Sequence, residues 1–66
     1  MHTVTAYGLR RAPSGRTLIV QSRKAANGLR SQRISGGFFS AEMAELVARA
    51  RAEKEGVPFV GYKEAK

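Results

Sequence analysis

Residues 21–39, QSRKAANGLRSQRISGGFF, decide how the chain folds. Two polar, basic segments flank Asn27-Gly28, the strongest short-range hairpin signal in the chain. Both residues tolerate the positive φ that a two-residue type I′ turn requires. The segment entering the turn, 17–24 (TLIVQSRK), has an apolar first half and a polar second half and reads as a strand. The segment leaving it, 29–35 (LRSQRIS), reads as the next strand. Gly36-Gly37 is expected to break that strand. Phe38 and Phe39 are expected to anchor a helix start in the core, because such aromatics usually bury.

Outward toward the N-terminus, 3–11 (TVTAYGLRR) carries β-branched and aromatic residues without a helical period, which predicts another strand. Ala12-Pro13-Ser14-Gly15 joins the two by turn chemistry: proline presets φ and glycine takes a positive one. Outward toward the C-terminus, Ser40 is a good helix N-cap. Residues 41–55 (AEMAELVARARAEKE) then predict a helix of about 22 Å. Phe39, Met43, Leu46, Val47 and Ala50 fall at helical spacing and form the expected buried stripe. Glu45–Arg49 and Arg51–Glu55 are expected i,i+4 pairs. Gly56 and Pro58 end the helix. The apolar 58–62 (PFVGY) either closes the core as an extended segment or adds an edge strand, and 63–66 is expected to fray.

The expected fold is therefore α+β: a three-stranded antiparallel sheet packed on one C-terminal helix, with a short apolar tail. It forms one small domain over residues 1–62. Tyr7, Leu9, Ile19 and Ile34 fall on one sheet face, and Val4, Ala6, Leu18, Val20 and Leu29 on the other. The bulkier first set is the preferred core, although a single bulge would exchange parts of the two.

Charge is the main functional signal. The net charge is +7, and it is not spread evenly. Residues 1–41 contain Arg10, Arg11, Arg16, Arg23, Lys24, Arg30 and Arg33 and no acid, whereas residues 42–66 balance five bases against five acids. A one-sided field of this kind attracts polyanions. Arginine and lysine neutralise phosphates, and arginine and glutamine also read guanine and adenine edges. These seven residues are the expected nucleic-acid-binding set, with Gln21, Gln32, Ser22, Ser31 and Asn27 between them. Basic residues on small sheets also guard edge strands against aggregation, which accounts better for lysines than for six arginines.

Other function classes find little support. The five carboxylates all lie in the helix or tail beside basic neighbours, the one histidine is His2, and there is no cysteine. No acid–base pair, nucleophile with its base, or cysteine–histidine metal site can be assembled. No enzyme activity, cofactor or metal is expected. No apolar run approaches a membrane span, and residues 1–20 lack the apolar core of a signal peptide. A soluble, cytoplasmic protein is the expectation, and the Ala-, Arg- and Gly-rich composition is that of a GC-rich bacterium or its phage.

The run from Arg30–Ile34 through Gly37-Phe38, Ser40 and the helix 42–50 resembles a family: the three-stranded-sheet-plus-helix DNA-binding domains of phage integrase N-termini (arm-site binding) and plant Apetala-type factors. The resemblance spans residues 3–55. It implies a sheet that enters the major groove with the helix bracing its back, and DNA-facing positions at Arg10, Arg23, Arg30 and Arg33. It also implies a stand-alone accessory or regulatory factor, without a catalytic domain. The alternative expectation is a small inhibitor docking on an acidic surface of a host protein through Phe59, Val60, Tyr62 or the strand edges.

Overall fold

A computed structural model describes residues 2–62. The expected fraying tail, 63–66, lies outside them. Five elements follow in order: β1 (His2–Arg11), β2 (Thr17–Ala25), β3 (Arg30–Phe38), α1 (Ala41–Glu55) and β4 (Phe59–Tyr62). The class is α+β with the helix C-terminal to the first three strands, as the sequence implies. The sheet, however, has four strands, in the order β3-β2-β1-β4. β1, β2 and β3 form the antiparallel meander. α1 then carries the chain back across the sheet, so that β4 lies parallel to β1 at the opposite edge. Of the two roles open to 58–62, the edge strand is the one adopted. Its start is fixed by a Tyr7 N–H donated to the Pro58 carbonyl at 3.0 Å.

Both hairpin loops have three residues. The Ala12 N–H donates to the Arg16 carbonyl and the Ala25 N–H to the Leu29 carbonyl, each at 2.8 Å. Gly15 and Gly28 alone take positive φ in these loops, at 89° and 87°. The expected type I′ turn is thus corrected: Asn27 keeps a negative φ, and its side chain instead accepts the Leu29 N–H at 3.1 Å. A three-residue loop with one left-handed glycine needs only that glycine to be special.

The expected break at Gly36-Gly37 is a bulge inside β3. Leu18 pairs with Gly36 and Thr17 with Phe38, which leaves Gly37 as the extra residue. One extra residue reverses the facing of the side chains beyond it, and Phe38 therefore turns toward the helix and packs against the core. A second bulge, between Val4 and Ala6 of β1, places Val4 on the same side as Tyr7.

The helix has the expected bounds and caps. Ser40 Oγ accepts the Met43 N–H at 3.3 Å. At the other end Gly56 is left-handed, with φ 69°, and the N–H groups of Gly56 and Val57 return to the Glu53 and Ala52 carbonyls. This is a Schellman closure. Its buried face overturns the expected stripe. Ala44, Ala48 and Ala52 are the buried helical residues, packed on Tyr7, Leu9 and Ile19. Met43 and Leu46 are 53% and 65% exposed, and Phe39 is 84% exposed. Of the expected stripe, Val47 alone packs against this core. The sheet already supplies bulky side chains, with Phe38, Val57 and Phe59 closing the sides. Close packing leaves the helix room for methyl groups only. Ile34 also departs from expectation: it pairs with Val20, away from the helix, and is 40% exposed.

Candidate nucleic-acid interface

Residues paired directly across antiparallel strands share a face, so the register sorts the basic residues. Ile19 lies in the helix-side core, and alternation along β2 then puts Leu18, Val20, Ser22 and Lys24 on the open face. Their partners on that face are Arg10 and Gly8 from β1, and Ile34, Gln32 and Arg30 from β3. The helix side receives Gln21 and Arg23, opposite Arg33 and Ser31. The four positions suggested by the family resemblance are thereby divided. Arg10 and Arg30 lie on the open face, and Arg23 and Arg33 on the side of the helix.

At the Asn27-Gly28 end, Arg23, Lys24 and Arg30 converge with Thr5, Ser22, Ser31 and Gln32 around a cleft of about 640 Å³. Every side chain around it except that of Ala6 carries a hydrogen-bonding group. Arg23 Nε is buried there without a hydrogen-bond partner. A buried donor left unmade is costly. At the opposite end the arginines are braced by aromatic rings. The Arg16 guanidinium lies 4.3 Å from the Phe39 ring centroid, and Arg11 lies 5.7 Å from that of Tyr62. Guanidinium over a ring face is attracted by the ring quadrupole, and the stacking leaves its in-plane N–H groups free to donate.

Among the described residues the one ion pair is Glu45–Arg49, at 2.8 Å, and it lies in the helix. None of the seven basic residues of the β region has a carboxylate partner there. Comparison of the chain with protein-family models, curated proteins and solved structures returned no significant match. The site therefore rests on its own geometry.

A second cleft, of about 560 Å³, lies on the helix side and was not legible as a site in the sequence. Arg33 meets Arg51 and Lys54 of the helix there, with Tyr7, Gln21, Ser35 and Glu55. The expected Arg51–Glu55 pair does not form. Arg51 donates to Ser35 Oγ at 3.5 Å, and Glu55 accepts from the Tyr7 hydroxyl. Gln21 Nε2 donates to that same hydroxyl at 2.8 Å. Burial, then the Glu55 carboxylate, pushes the Tyr7 phenol above its ordinary range. A long-range phenol–carboxylate contact leaves no spacing signal in a sequence, whereas i,i+4 charges do. Local pairing was the natural reading for that reason.

The residues of the alternative, protein-docking expectation separate too. Phe59 packs against the core beneath the Arg49 guanidinium, at 4.7 Å. Val60 and Tyr62 are exposed on the β4 edge. Among the described residues no helix is long and apolar enough to cross a membrane.

Proposed function

We propose that this chain is a small, non-enzymatic nucleic-acid-binding accessory or regulatory protein of a phage or bacterium, which contacts double-stranded DNA through the open face of its sheet. One observation carries the reading: Lys24 and Arg30 of the open face meet in a cleft of hydrogen-bonding side chains, which Arg23 also lines, with no carboxylate partner among the described residues.

Leu18 and Lys24 are six residues apart on β2, about 20 Å at strand rise. The open face is thus longer than the major groove is wide, at about 12 Å. With the centre of the face in the groove, its two basic ends reach the flanking phosphate backbones. Arg10 serves one end, and Lys24 and Arg30 the other. Between them Gln32 and Ser22 offer donors and acceptors to base edges, while the exposed Ile34 offers apolar contact to thymine methyl groups. Phosphate contacts supply affinity and register, and the central residues supply whatever sequence preference there is.

The test is a fluorescence-anisotropy titration of the chain with duplex DNA, single-stranded DNA and RNA at two salt concentrations. Duplex affinity that falls steeply with salt, and is lost in the triple variant Lys24→Ala, Arg30→Ala, Arg10→Ala, is the expected result. Preference for RNA or single strands would redirect the reading to those partners. Binding indifferent to salt and to the variant would end it.

A further inference from the structure

The helix packs on the sheet with alanines and turns its larger apolar side chains to solvent. Phe39, Met43, Leu46 and Ala50 recur at i, i+4, i+7 and i+11, opposite the buried Ala44, Ala48 and Ala52. A contiguous stripe of this kind is more than scattered surface apolarity and marks an interface.

We infer that the outer face of α1 is a self-association surface, on which two copies of the chain pair antiparallel about a two-fold axis near Leu46. Charge decides between a second copy and other occupants. The chain as a whole carries +7, which opposes self-association over the sheet surface. The helix itself carries three bases against four acids, so it is the nearly neutral surface on which two copies of this basic chain can meet.

The flanks of the stripe also match their own reverse. Glu42 and Arg49 lie seven residues apart on one side of it. Antiparallel pairing centred on Leu46 sets Leu46 against the partner's Leu46, Met43 beside the partner's Ala50, and Glu42 beside the partner's Arg49. An isologous interface makes each of the unlike contacts twice. Antiparallel helix dipoles favour the same arrangement. Arg49 is already held by Glu45 and by the Phe59 ring, so little side-chain freedom is lost in meeting the partner. A single helix of about 22 Å makes an interface at the small end of the usual range, and the dimer is accordingly concentration-dependent.

Sedimentation equilibrium on the nucleic-acid-free full chain, from low to high micromolar concentration, tests the inference. The average mass is expected to rise from one chain to two. Leu46→Asp should hold it at one chain with an unchanged circular-dichroism spectrum, since Leu46 is exposed and makes no core contact. Glu42→Arg and Arg49→Glu should each weaken the dimer, and the two combined should restore it. A wild-type chain that stays monomeric, higher oligomers, or a dimer indifferent to Leu46→Asp would overturn the inference. A double variant that fails to recover the dimer while keeping its helix content would overturn the antiparallel arrangement. None of these outcomes depends on DNA binding.

Discussion

The Tyr7 hydroxyl donates to the Glu55 carboxylate and ties the middle of β1 to the last residue of α1, 48 positions later in the chain. The ring is almost wholly buried, while its oxygen also accepts from Gln21. Tyr7→Phe keeps the ring and removes the contact. It is expected to cost about 0.5–1.5 kcal/mol in urea unfolding at neutral pH.

The same phenol sets an alkaline limit. Its folded-state pKa is raised, so it stays neutral where the unfolded chain has begun to ionise. Below about pH 10 it is neutral in both states and its contribution is complete. As pH climbs past that value the unfolded state loses its proton first, and stability falls toward the folded pKa. In Tyr7→Phe this part of the alkaline decline should vanish. Wild type and variant whose stabilities fall in parallel above pH 10 would refute the assignment.

Arg30 and Arg33 are three residues apart on β3 but on opposite faces, and they should behave differently toward duplex DNA. Arg30→Ala is expected to weaken binding and to lower the salt slope by about one. Arg33→Ala should leave the slope unchanged. Equal effects from both would show that the face assignment does not govern binding.

Gly36 is the glycine with least room. Its φ is +89°, and a Cβ there would stand 2.6 Å from Cε2 of the Phe38 ring. Gly36→Ala is expected to destabilise by more than about 1 kcal/mol. In a domain of this size that lowers Tm by at least about 4–8 °C. Gly28→Ala has open space around it but a φ of +87°, and should cost less. The ordering of the two in thermal unfolding is the measurement.

Ala48 is fully buried at the centre of the helix–sheet contact. Ala48→Leu adds volume where no gap exists and should cost about 1–3 kcal/mol. Leu46→Gln, two residues away on the outer face, should change the unfolding free energy of dilute protein by less than about 0.5 kcal/mol. Reversal of that order would restore the large-residue stripe as the buried one.

What was legible in the sequence was local. Ser40 and Gly56 fix the helix ends because caps act on the next few backbone groups. The loops were placed by Gly15 and Gly28, but the second has three residues where two were expected, and that shift by one turned Ile34 away from the helix. The bulges at Thr5 and Gly37 were not readable, and with the first went the facing of Val4, since one extra residue in a strand reverses the side chains on one side of it relative to the other. The helix's stripe of large apolar residues was the expected buried face, and Ala44, Ala48 and Ala52 are the ones buried. Size pointed to the wrong face, because the space left by Tyr7, Leu9 and Ile19 is a property of the sheet. The basic residues could be named in advance, but their division between two sides of the sheet depends on β2–β3 register.

Three alanines at the contact have a further effect. Alanine has no rotamers to freeze, so laying α1 on the sheet orders backbone but almost no side chains. Nor do methyl groups interlock as branched side chains do. The position of α1 along the strands is therefore set chiefly at its two tips, by Phe38 and the Ser40 cap at one and by the Tyr7–Glu55 contact and the Gly56 turn into β4 at the other. The helix is moored at bow and stern and lies smooth along the hull.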